Sequence, residues 1–284
     1  MSFTVVDPGV LSLVQDLGRE GTSEIGVGRS GALDRAALRL ANRTVGNLPH
    51  AAALEILLGG AEFIAEQRLT VAVTGAIGDV RANGVFLASG IAVDLPAGSI
   101  LKFGRATSGA RYYLAVAGGF DFPLFEGSAA WDGLAKVGTP PIQAGDRLPV
   151  GERLAGQANS WLPNPLASVN VDQPLVDITH GPRADWFDQL SWHRLVTEEW
   201  VVSPDSSRTA LRLQGPALSR IEPRELPSEA VFPGAIQVPP DGQPIVFLAD
   251  HPVTGGYPVI GVVRDSSLDR LGQVLPGQRV RLNG

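Results

Sequence analysis

The chain has 284 residues, among them 34 Gly, 22 Pro and no Cys, with 44% apolar residues and a formal net charge of −6. Roughly one position in five is a backbone punctuator, which excludes long helices as the main material. The missing cysteines exclude thiolate nucleophiles, disulfides, Fe–S clusters and cysteine zinc sites, and the acidic balance argues against a nucleic-acid backbone as ligand.

The segment Met1–Gly9 has no basic flank, and no apolar run approaches the roughly 20 residues that span a bilayer. The expected location is the cytoplasm. Along the chain, short apolar runs bounded by Gly, Pro or Asp predict strands at Phe3–Val6, Leu69–Thr74, Ile91–Leu95, Tyr112–Ala117, Leu175–Ile178, Ala210–Leu213, Ile245–Ala249 and Val259–Val263. One helix stands out. From Leu33 to Val45 the apolar Leu33, Ala37, Leu40, Ala41 and Val45 recur at three- to four-residue steps. Ser30 or Gly31 can open it, Asp34 suits its first turn, and Gly46-Asn47 stop it. A weaker helix is predicted over Ala184–His193. The composition of Ala155–Pro174 is that of a linker, giving domains at 1–160 and 170–284. The halves echo each other: Ala53-Leu-Glu-Ile-Leu57 resembles Ala210-Leu-Arg-Leu-Gln214, and Gly98-Ser-Ile-Leu-Lys-Phe103 resembles Gly242-Gln-Pro-Ile-Val-Phe247. Two related β domains are expected.

Several familiar chemistries find no support. Gly26-Val-Gly28-Arg-Ser-Gly31 follows a polar loop rather than a strand, so a dinucleotide site is disfavoured. The glycines could instead face an anion at the helix start, helped by Arg19 or Arg29. The only lysines, Lys102 and Lys136, follow Leu101 and Ala135, so no Walker A loop exists. His50, His180, His193 and His251 form no close ligand pair, no metal site is read, and no G-x-S-x-G elbow is present. Two polar clusters sit beside strand-like runs: Gln15-Asp16-Leu-Gly-Arg19, and Asp250-His-Pro-Val-Thr254-Gly255-Gly256-Tyr257. An Asp could hold Mg²⁺, Thr and backbone N–H groups could hold phosphate, and Arg could clamp a carboxylate. Capped turns with solvated charges would look the same.

Pro8-Gly-Val-Leu-Ser-Leu-Val-Gln-Asp-Leu-Gly-Arg19, Ser30-Gly-Ala-Leu-Asp34, Leu38-Arg-Leu-Ala-Asn42, Ala53-Leu-Glu55, Ala115-Val-Ala-Gly-Gly119, Gly234–Ile245 and Thr254-Gly-Gly-Tyr-Pro258 resemble the allophanate hydrolase subunit 2 or KipA-type family, whose bacterial members are described as the C subunit of ATP-dependent 5-oxoprolinase. The resemblance runs from about Val6 to the C-terminus. It implies a mainly β chain of two cyclophilin-like β-barrel domains with few short helices. It implies an enzyme component that forms, with the B subunit of 5-oxoprolinase and together with the A subunit, a complex opening 5-oxoproline to glutamate at the expense of ATP. ATP, with Mg²⁺, is the implied co-substrate, and no biotin is carried on this chain. By position, Asp16, Arg19 and Asp250 are the implied catalytic residues. Gln15, Asp34, Asn42, Glu55, Gln237, Gln243, Thr254, Gly255, Gly256 and Tyr257 are the implied binding residues. Two other functions fit the same resemblance: a regulatory protein that sequesters a KipI-type kinase inhibitor similar to the B subunit, and a urea carboxylase-type carboxyltransferase half. Ala115–Phe125 and Gly26–Gly31 are candidate faces for the B subunit. Three motifs depart from the family pattern. Its Gly-Ser-x-Ser-Thr-Asp reads Gly127-Ser-Ala-Ala-Trp-Asp132, its Ser-Asp/Asn-Arg-Met-Gly reads Ser206-Ser-Arg-Thr-Ala210, and its Asp-x-x-Thr-Thr-Gly-Gly reads Asp250-His-Pro-Val-Thr-Gly-Gly256.

Overall fold

The computed structural model describes residues 2–152 and 174–284. The expected linker at 155–174 lies outside the described residues except for Pro174, as does the junction of the expected domains. The described residues form two compact units, one of residues 2–19, 34–132 and 136–152, the other of 20–33, 133–135 and 174–284. Two short excursions of the N-terminal sequence therefore count with the second unit. No helix among the described residues is long and apolar enough to cross a membrane.

The first unit contains β1 (Ser2–Pro8), β2 (Leu11–Gln15), α1 (Arg35–Thr44), β3 (Ala53–Leu57), β4 (Ala61–Ala65), β5 (Leu69–Ala82), β6 (Val85–Phe86), β7 (Val93–Leu95), β8 (Ile100–Val116) and β9 (Arg147–Pro149). The sheet order is β2-β3-β8-β4-β1-β9, with β5 also on β8. The long β8 is the spine: Tyr113 stands opposite Glu55 of β3 on one edge and Thr74 of β5 on the other. Alternate residues of β1 and β4 turn inward, as a one-sided antiparallel sheet requires. Edge-to-face contacts link Phe3, Phe63, Phe103 and Tyr112, with centroids 6.2, 6.0 and 5.5 Å apart. At Gly75, φ is +83° beside a register shift in β5, and an added Cβ would strike the Arg111 carbonyl. The helix expected at 33–45 is α1, but Asp34 is its N-cap rather than a first-turn residue, accepting the Ala37 N–H at 2.9 Å. The carboxylate reaches that N–H from the cap position, which Ser30 and Gly31 are too far back in the chain to do.

The second unit contains β10 (Leu175–His180), α2 (Gln189–Thr197), β11 (Glu199–Val202), β12 (Ala210–Gln214), β13 (Glu229–Ala230), β14 (Ala235–Gln237), β15 (Ile245–Phe247), β16 (Thr254–Gly255), β17 (Val259–Val263), α3 (Asp265–Leu271) and β18 (Arg279–Asn283). Seven strands close a barrel in the order β10-β17-β14-β15-β12-β11-β18, and β13 pairs with β16 as a separate ribbon. The fold is mainly β, as expected. The second unit is a closed barrel, whereas the nine-stranded sheet of the first is a half-barrel.

The helix expected at 184–193 is divided into a 3-10 turn at Ala184–Trp186 and α2, which starts after Asp188, whose carboxylate accepts the Ser191 N–H at 2.7 Å. Phe187 between them is extended and bridges to Arg220, so the backbone cannot stay helical there. The seven-residue α3 is too short to show a period in the sequence. The echoed runs behave alike in part: β3 pairs antiparallel with β8 and β12 with β15, although β3 meets the far end of β8.

Inside the barrel Trp200 is fully buried, with its indole N–H donated to the Leu195 carbonyl at 3.1 Å. Trp200→Ala removes both the largest core side chain and that bond. We expect a loss of about 3–5 kcal/mol, read as a lower urea midpoint with an unchanged slope.

Candidate functional site

Three polar clusters carry the residues singled out by sequence, each assembled within one unit. The first follows β2. Asp16 accepts from Gly18 N–H at 2.7 Å, Ser128 Oγ at 2.6 Å and Ala129 N–H at 2.8 Å. Its oxygens are thus engaged in holding residues 128–130 against the end of β2. Arg19 is 1% exposed, donates to the Ala130 carbonyl, and places Nη1 4.0 Å from Asp132 Oδ2. Gln15 donates to the Trp131 carbonyl at 3.0 Å. Main-chain groups meet Asp16, Arg19 and Gln15, while the buried atoms Gln15 Oε1, Arg19 Nε and Nη1 and Asp132 Oδ2 make no hydrogen bond among the described residues.

The second cluster ties α1 to the sheet. Tyr113 Oη donates to Glu55 Oε2 at 2.7 Å and accepts the Asp34 N–H at 2.8 Å, while Arg111 Nε lies 3.3 Å from Glu55 Oε1. Burial first, then the negative charges of Glu55 and Asp34, push the Tyr113 phenol well above its ordinary range. It stays a protonated donor at any working pH. Asn42 holds the far end of α1, donating to the Ala51 carbonyl at 2.7 Å and accepting from Asn47 Nδ2 at 3.0 Å. The anion expected at the helix start is supplied internally by Asp34. Arg19 points to Ala130, and Arg29 lies 3.4 Å from Glu20.

The third cluster lies in the second unit. Asp250 is 1% exposed and accepts four hydrogen bonds: Ser30 Oγ at 2.7 Å and Arg208 Nη2 at 3.0 Å on Oδ1, Gly133 N–H and Arg208 Nε, each at 3.0 Å, on Oδ2. Arg208 Nη2 also reaches the Gly31 carbonyl at 2.6 Å. Burial pulls the Asp250 carboxyl upward, but the Arg208 charge, its hydrogen bonds, and those of Ser30 and Gly133 outweigh it, leaving the group below its ordinary value. Both excursions, 20–33 and 133–135, are therefore fastened to one carboxylate.

The remaining predicted residues lie elsewhere in the second unit. Gln237 donates to the Tyr257 carbonyl at 2.9 Å, beneath the turn that follows β16. Thr254 in β16, and Gly256 and Tyr257 on that turn, are exposed. Gln243 clasps the Gly215 backbone, accepting at 2.9 Å and donating at 3.1 Å. Among the described residues no three His, Asp or Glu side chains gather as a metal-binding group.

Sequence reasoning missed Arg208, Ser128, Asp132, Ser30 and Tyr113 as members of these clusters. The first three occupy retained positions of two of the three altered motifs, so the signal was in the motifs. Tyr113 carried none, because a tyrosine within an apolar strand reads as core.

The carboxyltransferase domain, subdomain A and B, model matches residues 25–284, and the chain belongs to that family. Similar relatives include the C subunit of 5-oxoprolinase from Escherichia coli, 37% identical over 97% of this chain and 89% of that protein. The urea amidolyase of Lachancea kluyveri is 30% identical over 99% of this chain but only 17% of its own length. The crystal structure of TTHA0988 superposes with a TM-score of 0.88 at 33% identity, covering all of this chain and 55% of that one.

Two substitutions test the clusters. Asp250→Asn strands Arg208 and puts an amide where donors converge, and should cost about 3–5 kcal/mol at pH 7. Because the folded carboxyl is depressed, its contribution is complete above the unfolded value of about 3.9 and is lost as pH falls through the folded value. The difference between wild type and variant should shrink in thermal melts taken below about pH 4. Tyr113→Phe leaves Glu55 and the Asp34 N–H each short of one partner, and should lower stability by about 1–3 kcal/mol in urea titrations.

Proposed function

We propose that this chain is the C subunit of an ATP-dependent 5-oxoprolinase and that its site is completed by the B subunit, with the A subunit finishing the ring opening. The observation that carries the reading is the match to the 5-oxoprolinase C subunit over 97% of this chain and 89% of the relative. The chemistry explains the ATP. A lactam nitrogen is a poor leaving group. Transfer of the γ-phosphoryl from ATP to the amide oxygen releases ADP and opens the ring carbon to water; the adduct expels the ring amine, breaking the C–N bond, and hydrolysis of the acyl phosphate so formed gives glutamate and phosphate. Catalysis then rests on positioning and on stabilising charge, which needs no P-loop lysine.

The segment Thr254–Tyr257, formed by β16 and the turn after it, carries the exposed members of the predicted set and can touch a ligand through a hydroxyl and glycine backbone suited to an anionic group. Asp16, Arg19 and Asp250 serve by fixing the loops around them. Mg²⁺ comes with the nucleotide and takes its protein ligands from another chain. The similarity to urea amidolyase over 99% of this chain supports a second reading, a carboxyltransferase half acting on a carboxylated biotin carrier.

Copurification with its two partner chains, the B and A components of the complex, followed by glutamate release from 5-oxoproline, decides between them. Turnover that requires ATP and all three chains is expected. An intact complex with no 5-oxoproline-dependent ADP release, or one that requires biotinylated carrier, overturns the first reading. Thr254→Ala should lower kcat/KM about tenfold through loss of one hydrogen bond to a charged group, with no change in complex formation on gel filtration.

A further inference from the structure

The exposed turn after β16 is underlain by one buried side chain. Gln237 is 3% exposed and ends β14, at a register shift: Ile236 stands opposite Gly261, but Gln237 stands opposite Val259. The extra residue of this β-bulge is Ile260 of β17, across from Gln237, and the Gln237 amide reaches the Tyr257 carbonyl at 2.9 Å. The same amide lies against Gly255: a Cβ added there would sit 2.5 Å from Gln237 Nε2 and 3.1 Å from Oε1. Gly255 does not have a left-handed φ, so its backbone would accept alanine. What excludes a side chain is the glutamine. The opposite strand of the ribbon is fixed too, since Glu229 pairs with Gly255 and is gripped by the Arg183 guanidinium.

We propose that Gln237 is a positioning residue, and that Gln237, the bulge of β17 across from it and the bare Cα of Gly255 form one device that sets the conformation of the Thr254–Tyr257 segment for an anionic group of the substrate. This rests on the reading that the turn meets 5-oxoproline or its phosphorylated form. The mechanism is mechanical. A methyl at 255 displaces the amide, the amide releases the Tyr257 carbonyl, and the turn shifts relative to the reacting atoms. Misplacement by about 1 Å can cost as much as 100-fold in rate. The effect of Gly255→Ala must therefore pass through Gln237 and disappear when the glutamine is shortened.

The test is a double-mutant cycle of Gly255→Ala and Gln237→Ala in the assembled complex, read by steady-state kinetics and by amide hydrogen exchange over residues 254–257. Each single variant should lower kcat/KM about tenfold or more, speed exchange in the turn, and leave complex formation intact. The double variant should be no worse than Gln237→Ala alone, because the new methyl occupies the space the glutamine left. Multiplying losses, or exchange in the turn that is unchanged in Gln237→Ala, overturns the proposal. If the wild-type complex does not turn over 5-oxoproline, the functional reading fails on that result. The exchange cycle still decides whether Gln237 sets the turn.

Discussion

A buried carboxylate with four donors governs the organisation of the second unit. Asp250 and Arg208 meet through two parallel hydrogen bonds, and Ser30 and Gly133 supply the other two, so little of the carboxylate's lost hydration goes unreplaced. Such a pair is weak evidence of net stability compared with an apolar filling, but it is demanding about geometry. That demand explains the backbone around it. Ser30 holds φ at +55°, unusual for a residue with a side chain, and its hydroxyl is fixed by Asp250 while its N–H donates to the Ala249 carbonyl at 3.1 Å.

Several positions altered against the resembled pattern contribute main-chain atoms, whereas Ser207, in place of Asp or Asn, accepts the Thr209 N–H through its hydroxyl at 3.2 Å. Ala130 and Trp131 stand where the family has Ser and Thr, and it is their carbonyls that accept from Arg19 and Gln15. Thr209 stands where the family has Met, and its carbonyl accepts the Leu248 N–H at 2.9 Å. Val253 stands in place of Thr, and its carbonyl accepts from Val231 at 3.0 Å. The retained Ser128, Asp132, Arg208 and Asp250 are the ones whose side chains are used. A backbone contact survives a change of side chain, and a carboxylate contact does not.

Much of the β architecture was legible because inward-facing residues alternate in strands such as β1 and β4, and because glycines mark the strand ends. The site was legible only as a set of residue types. Local sequence shows that Asp16, Asp34 and Asp250 are polar residues beside apolar runs, but not that the first orders residues 128–130, the second caps a helix and the third receives donors 117 or more positions away. Distant pairing leaves no periodic trace in the chain. The same limit hid the membership of residues 20–33 and 133–135 in the second unit, since nothing in their composition sets them apart from ordinary connecting loops.

That membership has a consequence for how the protein is made. Leu33 belongs to the core around Trp200, and Ser30 and Gly133 supply donors to Asp250, yet the strands of the barrel begin only at Leu175. During synthesis the segment ending at Leu33 leaves the ribosome well before Asp250 does. At ordinary elongation speeds of about 5–20 residues per second it waits on the order of 10–40 s for its permanent neighbours. The N-terminal half must therefore hold two unfinished loops in readiness while the rest of the chain is translated. A barrel begun from its own strands alone would reach the cell short of two of the donors its central carboxylate needs.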